Sequence, residues 1–211
     1  WRDAVAGVSS VAAMTCRVLE AAERLGGESQ VVMLRAGLAC SRIIREDMGL
    51  YDTTHGDLYE RLATAVCGDG EWRAARYRVP GAQAFHEWQR QERQRGPDLE
   101  AGLIRTVVTE IYNYGEFELV APLFRRWLGH VPGVAAPDQA LEYLVAHLGD
   151  TESRHFLSIV EAHRLYCQAL GTPLDYARVQ LRCEEFLDRV GAKYAALSEA
   201  VIEPDLAPVG S

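Results

Sequence analysis

Apolar positions recur along this chain at intervals of three and four rather than in alternation. That pattern predicts amphipathic helices and carries almost no strand signal. A first helix is expected over 2–25, with Val5, Val8, Ala12, Leu19 and Ala22 on one stripe and Gly26-Gly27 as its stop. A second covers 29–48, with Ser29 as N-cap and Gly49 as terminator. Residues 51–56 read as a turn in which Asp52 or Thr54 caps a third helix over 57–67, and Gly68-Asp69-Gly70 breaks it. A short helix at 72–77 and another from 82 to Gly96-Pro97 follow.

The second half is more regular. A helix over 98–128 should be kinked by Pro122. Residues 131–136 form a loop, and one long helix runs over 137–170. A last helix over 174–201 carries Val179, Cys183, Phe186, Val190, Tyr194, Leu197 and Val201 on one face. Seven or eight helices with short connections predict an all-α antiparallel bundle. One domain is expected over 1–202, with a loosely held C-terminal tail at 203–211.

Composition narrows the class of function. The chain has 211 residues, is 48% hydrophobic and carries a formal net charge of -8, with no basic stripe. Nucleic-acid binding is therefore not expected. No apolar run approaches the ~20 residues of a membrane span, and the first residues lack a signal-peptide pattern, so a cytoplasmic protein is expected. Trp1 stands where a Met would start a chain, so the numbering is expected to begin inside a longer one. Five cysteines at wide spacing, with no C-x-x-C, read as buried free thiols. Of 22 basic residues, 21 are arginines and Lys193 is the only lysine, a bias of GC-rich bacterial genomes.

Candidate chemistry concentrates on 137–170. At about 100° per residue, Glu152, His155 and His163 share the face of Leu144, Leu148, Phe156, Ile159 and Ala162. His147 and Asp150 fall toward the polar side. A core-facing carboxylate must be paired or bind a metal, and Glu and His at i and i+3 can reach one ion. In 98–128, Glu110 lies on the inner stripe and Glu118 close to it, whereas Glu116 groups with Arg105, Thr109 and Asn113 on a polar-looking face. Candidate metal ligands are thus Glu110, Glu118, Glu152, His155 and His163, although His163 also fits a hydrogen-bonded core histidine. Asp52 and His55 read as cap and solvent-facing residue of a turn, and His86 and His130 have no companions that suggest ligation.

The run Glu110, Asn113, Gly115, Leu123, Phe124, followed by His147, Asp150, Glu152 and His155, resembles the haem-oxygenase-like di-metal oxidases. Glu118 or Phe117 stands where that family carries a histidine. Glu152-x-x-His155 preceded by a lone Glu110 or Glu118 is also similar to the ferritin-like di-iron proteins, with Asp52-x-x-His55 in place of their first motif. The haem-oxygenase-like architecture is preferred on helix count. The resemblance implies ferrous iron, as one or two ions, with O2 as co-substrate, and a small organic substrate of bacterial specialised metabolism, amino-acid-derived molecules being one class. It also implies nearby tyrosines as hydrogen-bond donors or redox neighbours, Tyr114 and Tyr166 first, then Tyr112 and Tyr143. It allows a homodimer. Two rival readings are a metal-free enzyme with Glu152 and His155 as an acid–base pair, and a non-catalytic helical interaction protein.

Overall fold

The structure is a computed structural model. It describes residues 7–49, 53–68, 70–74, 77–131, 134 and 137–202. The expectations for Val5, Asp52 and the 203–211 tail, and most of the 131–136 loop, lie outside the described residues.

Nine α-helices and no strand occur among the described residues. They are α1 (Gly7–Glu23), α2 (Gly27–Asp47), α3 (His55–Cys67), α4 (Pro80–Arg95), α5 (Leu99–Leu128), α6 (Pro137–Ala140), α7 (Glu142–Ala146), α8 (Asp150–Leu170) and α9 (Tyr176–Ile202). The all-α expectation matches this architecture. Helix starts follow local chemistry. Thr54 caps α3 by accepting from the Asp57 amide at 3.0 Å, which starts the helix two residues earlier than expected. Asp98 caps α5 by accepting from the Ala101 amide at 3.1 Å. The expected Ser29 cap gives way to Gly26, and the helix expected at 72–77 is reduced to one 3-10 turn, Glu71–Arg73.

The long helix expected over 137–170 is three. Gly149 adopts φ +67, a left-handed conformation that a helix does not contain, and α8 starts afresh at Asp150. The break turns His147 away from the phase that a continuous helix would impose.

α5 is the central element. It packs against α8, α4, α9 and α1 along its length. Three apolar clusters surround it. One joins α1, α2, α5 and α8 through Met14, Met33, Leu103 and Ile159. A second joins α3, α5, α6 and α7 through Leu62, Phe117, Leu128 and Leu144. The third joins α4, α5 and α9 through Phe85, Ile104 and Phe186. Because the N-terminal half of α5 has neighbours on nearly every side, its polar residues Arg105, Thr106, Thr109 and Glu110 are buried too. Arg105 is 1% exposed, stacked 3.3 Å over the Trp88 ring and 3.2 Å from Glu185. The stripe Arg105, Thr109, Asn113, Glu116, a polar-looking face in the sequence, packs inward, and its last three residues line a cavity.

Candidate metal centre

A cavity of about 410 Å³ opens beside α5 where these clusters meet. Its wall brings together side chains from five places in the chain. Asp47 ends α2, His55 begins α3, and Glu110 projects from the middle of α5. His147 follows α7, and Glu152 and His155 occupy the first turns of α8. Three imidazoles and three carboxylates thus cluster on one part of the cavity wall. Glu46 stands behind, its Oε2 3.2 Å from His155 Nε2.

The groups form a continuous chain of near contacts. His55 Nδ1 is 3.1 Å from Asp47 Oδ1. The rings of His55 and His147 are 4.4 Å apart. His147 Nε2 is 3.9 Å from Glu152 Oε1. Ligand atoms of Glu110, Glu152 and His155 all lie within 4.8 Å of one another. Donors about 2.1 Å from one shared ion lie about 3–4 Å apart, so small side-chain shifts would bring these atoms onto one ion.

Protonation sharpens the picture. His147 Nδ1 donates to the Tyr143 carbonyl at 2.7 Å, so its Nε2 carries the lone pair. Burial, with His55 beside it, pushes His147 down to about 4, leaving the ring neutral. The ring is stacked on Phe117, centroids 4.1 Å apart. Burial and the adjacent Glu110 carboxylate raise Glu152 well above the usual carboxylate range. Burial would lower His155, but Glu110, Asp47 and Glu152 outweigh it and push it up to about 9. Glu152 Oε2 is buried without a hydrogen-bond partner, and His155 Nε2 has only its ion-pair contact with Glu46, without hydrogen-bond geometry. An orphaned buried carboxylate oxygen is rare in native interiors, and a bound cation would satisfy it. Nitrogen and carboxylate donors suit iron, manganese or zinc. The residues fit a metal.

Of the expected ligands, Glu110, Glu152 and His155 meet here. Glu118 does not: it is exposed, because α5 turns Phe117 and Glu110 toward this cavity and Glu116 toward α9. His163 belongs to a second cluster, 3.2 Å from Glu100 Oε1, with Cys167 Sγ 3.6 Å from the same oxygen. There Arg178 bridges Glu100 and Asp98, supplying the positive charge that a metal would bring. Tyr114 is 37% exposed and Tyr166 packs beside Glu100, so neither lines the cavity. Tyr112 and Tyr143 do.

Spacing and phase did not single out Asp47, read His55 as solvent-facing and placed His147 toward the polar side; all three line the cavity. A signal existed for the first. Glu46 and Asp47 end α2 at the negative pole of the helix dipole, where acids are disfavoured and a functional reason is worth seeking. No protein-family model matches the chain, and neither a curated protein nor a solved structure matches it.

Proposed function

We propose that this protein is a non-haem iron enzyme with a dinuclear centre, an oxidase or oxygenase that uses O2 on a small organic molecule. One observation carries the reading. The neutral His147 Nε2 and Glu152 Oε1 face each other at 3.9 Å inside a cluster of three imidazoles and three carboxylates, with Glu152 Oε2 orphaned. The protonated Glu152 can place its one proton between the two, and a cation bound there would take that proton's place, with both atoms as ligands. Two ions would share Asp47, His55, Glu110, His147, Glu152 and His155. This set supports the haem-oxygenase-like resemblance over the ferritin-like one, since no second Glu-x-x-His contributes.

Bound iron would supply electrons and open coordination positions for O2. The chain's residues do the rest. Phe117, stacked on His147, and Tyr143, 3% exposed, wall the cluster and limit leakage of an oxidant to solvent. The Tyr143 carbonyl holds the His147 proton on Nδ1 and so keeps Nε2 free for ligation. Tyr143, its phenol pushed up by burial, stays protonated and able to donate beside the cluster. Arg93, 4% exposed, lines the same cavity and offsets the charge of Glu110 and Asp47.

A metal-free acid–base pair is the weaker reading. His155 is held charged and Glu152 neutral, so both carry protons at neutral pH and neither is poised as a base. Anaerobic titration with ferrous iron, followed by metal analysis and O2 exposure, tests the proposal. The expected result is uptake near two ions per chain and an O2-dependent absorbance change, both lost in Glu152→Ala and His155→Ala. No uptake by the wild type, or unchanged uptake by both variants, sinks it.

A further inference from the structure

Lys193 is the only lysine among 22 basic residues. It lies on α9, is 5% exposed and lines the same cavity as the metal cluster. Its ammonium sits among rings, 4.3 Å from the centroid of Tyr194, 5.1 Å from Phe85 and 5.4 Å from Tyr112. Burial lowers the amine's pKa, while the Glu116 carboxylate and the surrounding aromatic faces favour its charged form. The compact ammonium fits among them where a planar guanidinium would demand a wider, flatter slot.

Its hydrogen bonding is incomplete. An ammonium has three N–H donors. One reaches the Tyr112 hydroxyl at 3.4 Å, and the Glu116 carboxylate lies at 3.7 Å, beyond hydrogen-bond reach. Glu116 supplies the counter-charge across that gap but takes its hydrogen bond from Tyr194, to which Tyr112 donates, so it leaves Lys193 N–H bonds unused. A buried cation with unused donors, facing a cavity, is a site for an anion. Its distance from the metal cluster suits a small molecule. Glu116, beside Lys193, is six residues from Glu110 on α5, a rise of about 9 Å.

We propose that Lys193 anchors the carboxylate of a small organic acid whose other end reaches the metal cluster. The proposal names the substrate class of the site proposed above and rests on that reading. The acid's apolar body would lie along Phe85 and Phe117, and its carboxylate would accept the two free Lys193 N–H bonds. Lys193 is a binding and positioning residue here and takes no part in bond making.

The test uses a series of probes, benzoate, 3-phenylpropionate and hexanoate, each with its neutral amide. Binding is measured by calorimetry, with and without ferrous iron, to wild type, Lys193→Met and Lys193→Gln. At least one acid should bind wild type about tenfold more tightly than its amide, the scale of one charge-assisted contact. Both variants should lose that preference and keep the wild-type iron stoichiometry. If the variants misfold, Glu116→Gln keeps the ammonium and removes its carboxylate neighbour, and should strengthen the preference; a preference that it leaves unchanged or weakens overturns the proposal. Failure of every acid to bind, equal binding of acid and amide, or a preference that survives loss of the ammonium overturns the proposal. Iron binding without acid preference defeats the anchor alone. Acid preference without iron binding keeps the anchor and defeats the metal reading.

Discussion

Glu152→Gln should make the metal-free protein more stable while crippling its response to metal. Glu152 is 1% exposed and lies against Glu110. In the unfolded chain its carboxyl titrates near 4.5, and in the folded protein it is raised well above that. The folded state therefore binds more protons than the unfolded state from pH 4.5 upward, and wild-type stability falls as pH rises through that window. Glutamine keeps the shape and has no proton to hold. The advantage of the variant should be near zero at pH 4.5. It should grow by about 1.4 kcal/mol per pH unit to about 3 kcal/mol at pH 7, provided the folded carboxyl stays protonated there. Unfolding entropy for a chain of 211 residues is about 0.4 kcal/mol per degree, so the gain corresponds to about 7 °C in Tm. Urea denaturation and thermal melts of chelator-treated protein at pH 5, 6 and 7 measure it. A variant less stable than wild type at pH 7, or a gain equal at pH 5 and 7, would refute the account of a strained buried carboxylate.

Three further expectations follow from the same geometry. Ferrous or cobaltous ion at a hundred times its Kd should stabilise wild type by about 2.7 kcal/mol, about 6 °C in Tm. Because the raised His155 must lose its proton to bind metal, this shift should grow from pH 6 to 9 in scanning fluorimetry, whereas His155's own contribution to metal-free stability, complete below 6.5, fades toward 9; a metal shift that shrinks with pH contradicts the ligation. His163→Ala should cost about 1–2 kcal/mol in denaturant titration yet leave metal stoichiometry unchanged, since Arg178 still pairs with Glu100. Gly149→Ala should destabilise by about 1 kcal/mol through its φ of +67 alone, because a Cβ there meets nothing within 4 Å; circular-dichroism melts showing no loss would contradict this.

Helical phase was enough to read Glu110, Glu152 and His155 as inward residues, since each follows the apolar stripe of its own helix. It misplaced His147 because phase was carried through Gly149, where the backbone reverses sign in φ. It misjudged Glu116, which packs toward α9, and Glu118, which is exposed, because the inner face of α5 was read from apolar residues such as Leu119 and Leu123 that are themselves exposed. His55 and Asp47 were beyond phase altogether. Their meeting depends on how the end of α2 and the start of α3 fold back on the cavity, a tertiary fact that spacing does not encode. Capping, by contrast, is local chemistry, and Thr54 was readable as a cap from the residues alone.

The break at Gly149 also sets how this chain can tolerate change in length. His147 lies two residues before it and Glu152 three residues after it, and the two must face each other. α8 is clamped between α2 and α5, so a residue inserted or deleted at 148–149 cannot be absorbed by turning that helix. The short α7 would rotate instead, by about 100° per residue, and carry His147 out of the cluster. Linkers and fusion points therefore belong elsewhere on the molecule, because this junction of a few residues keeps the register of the whole centre.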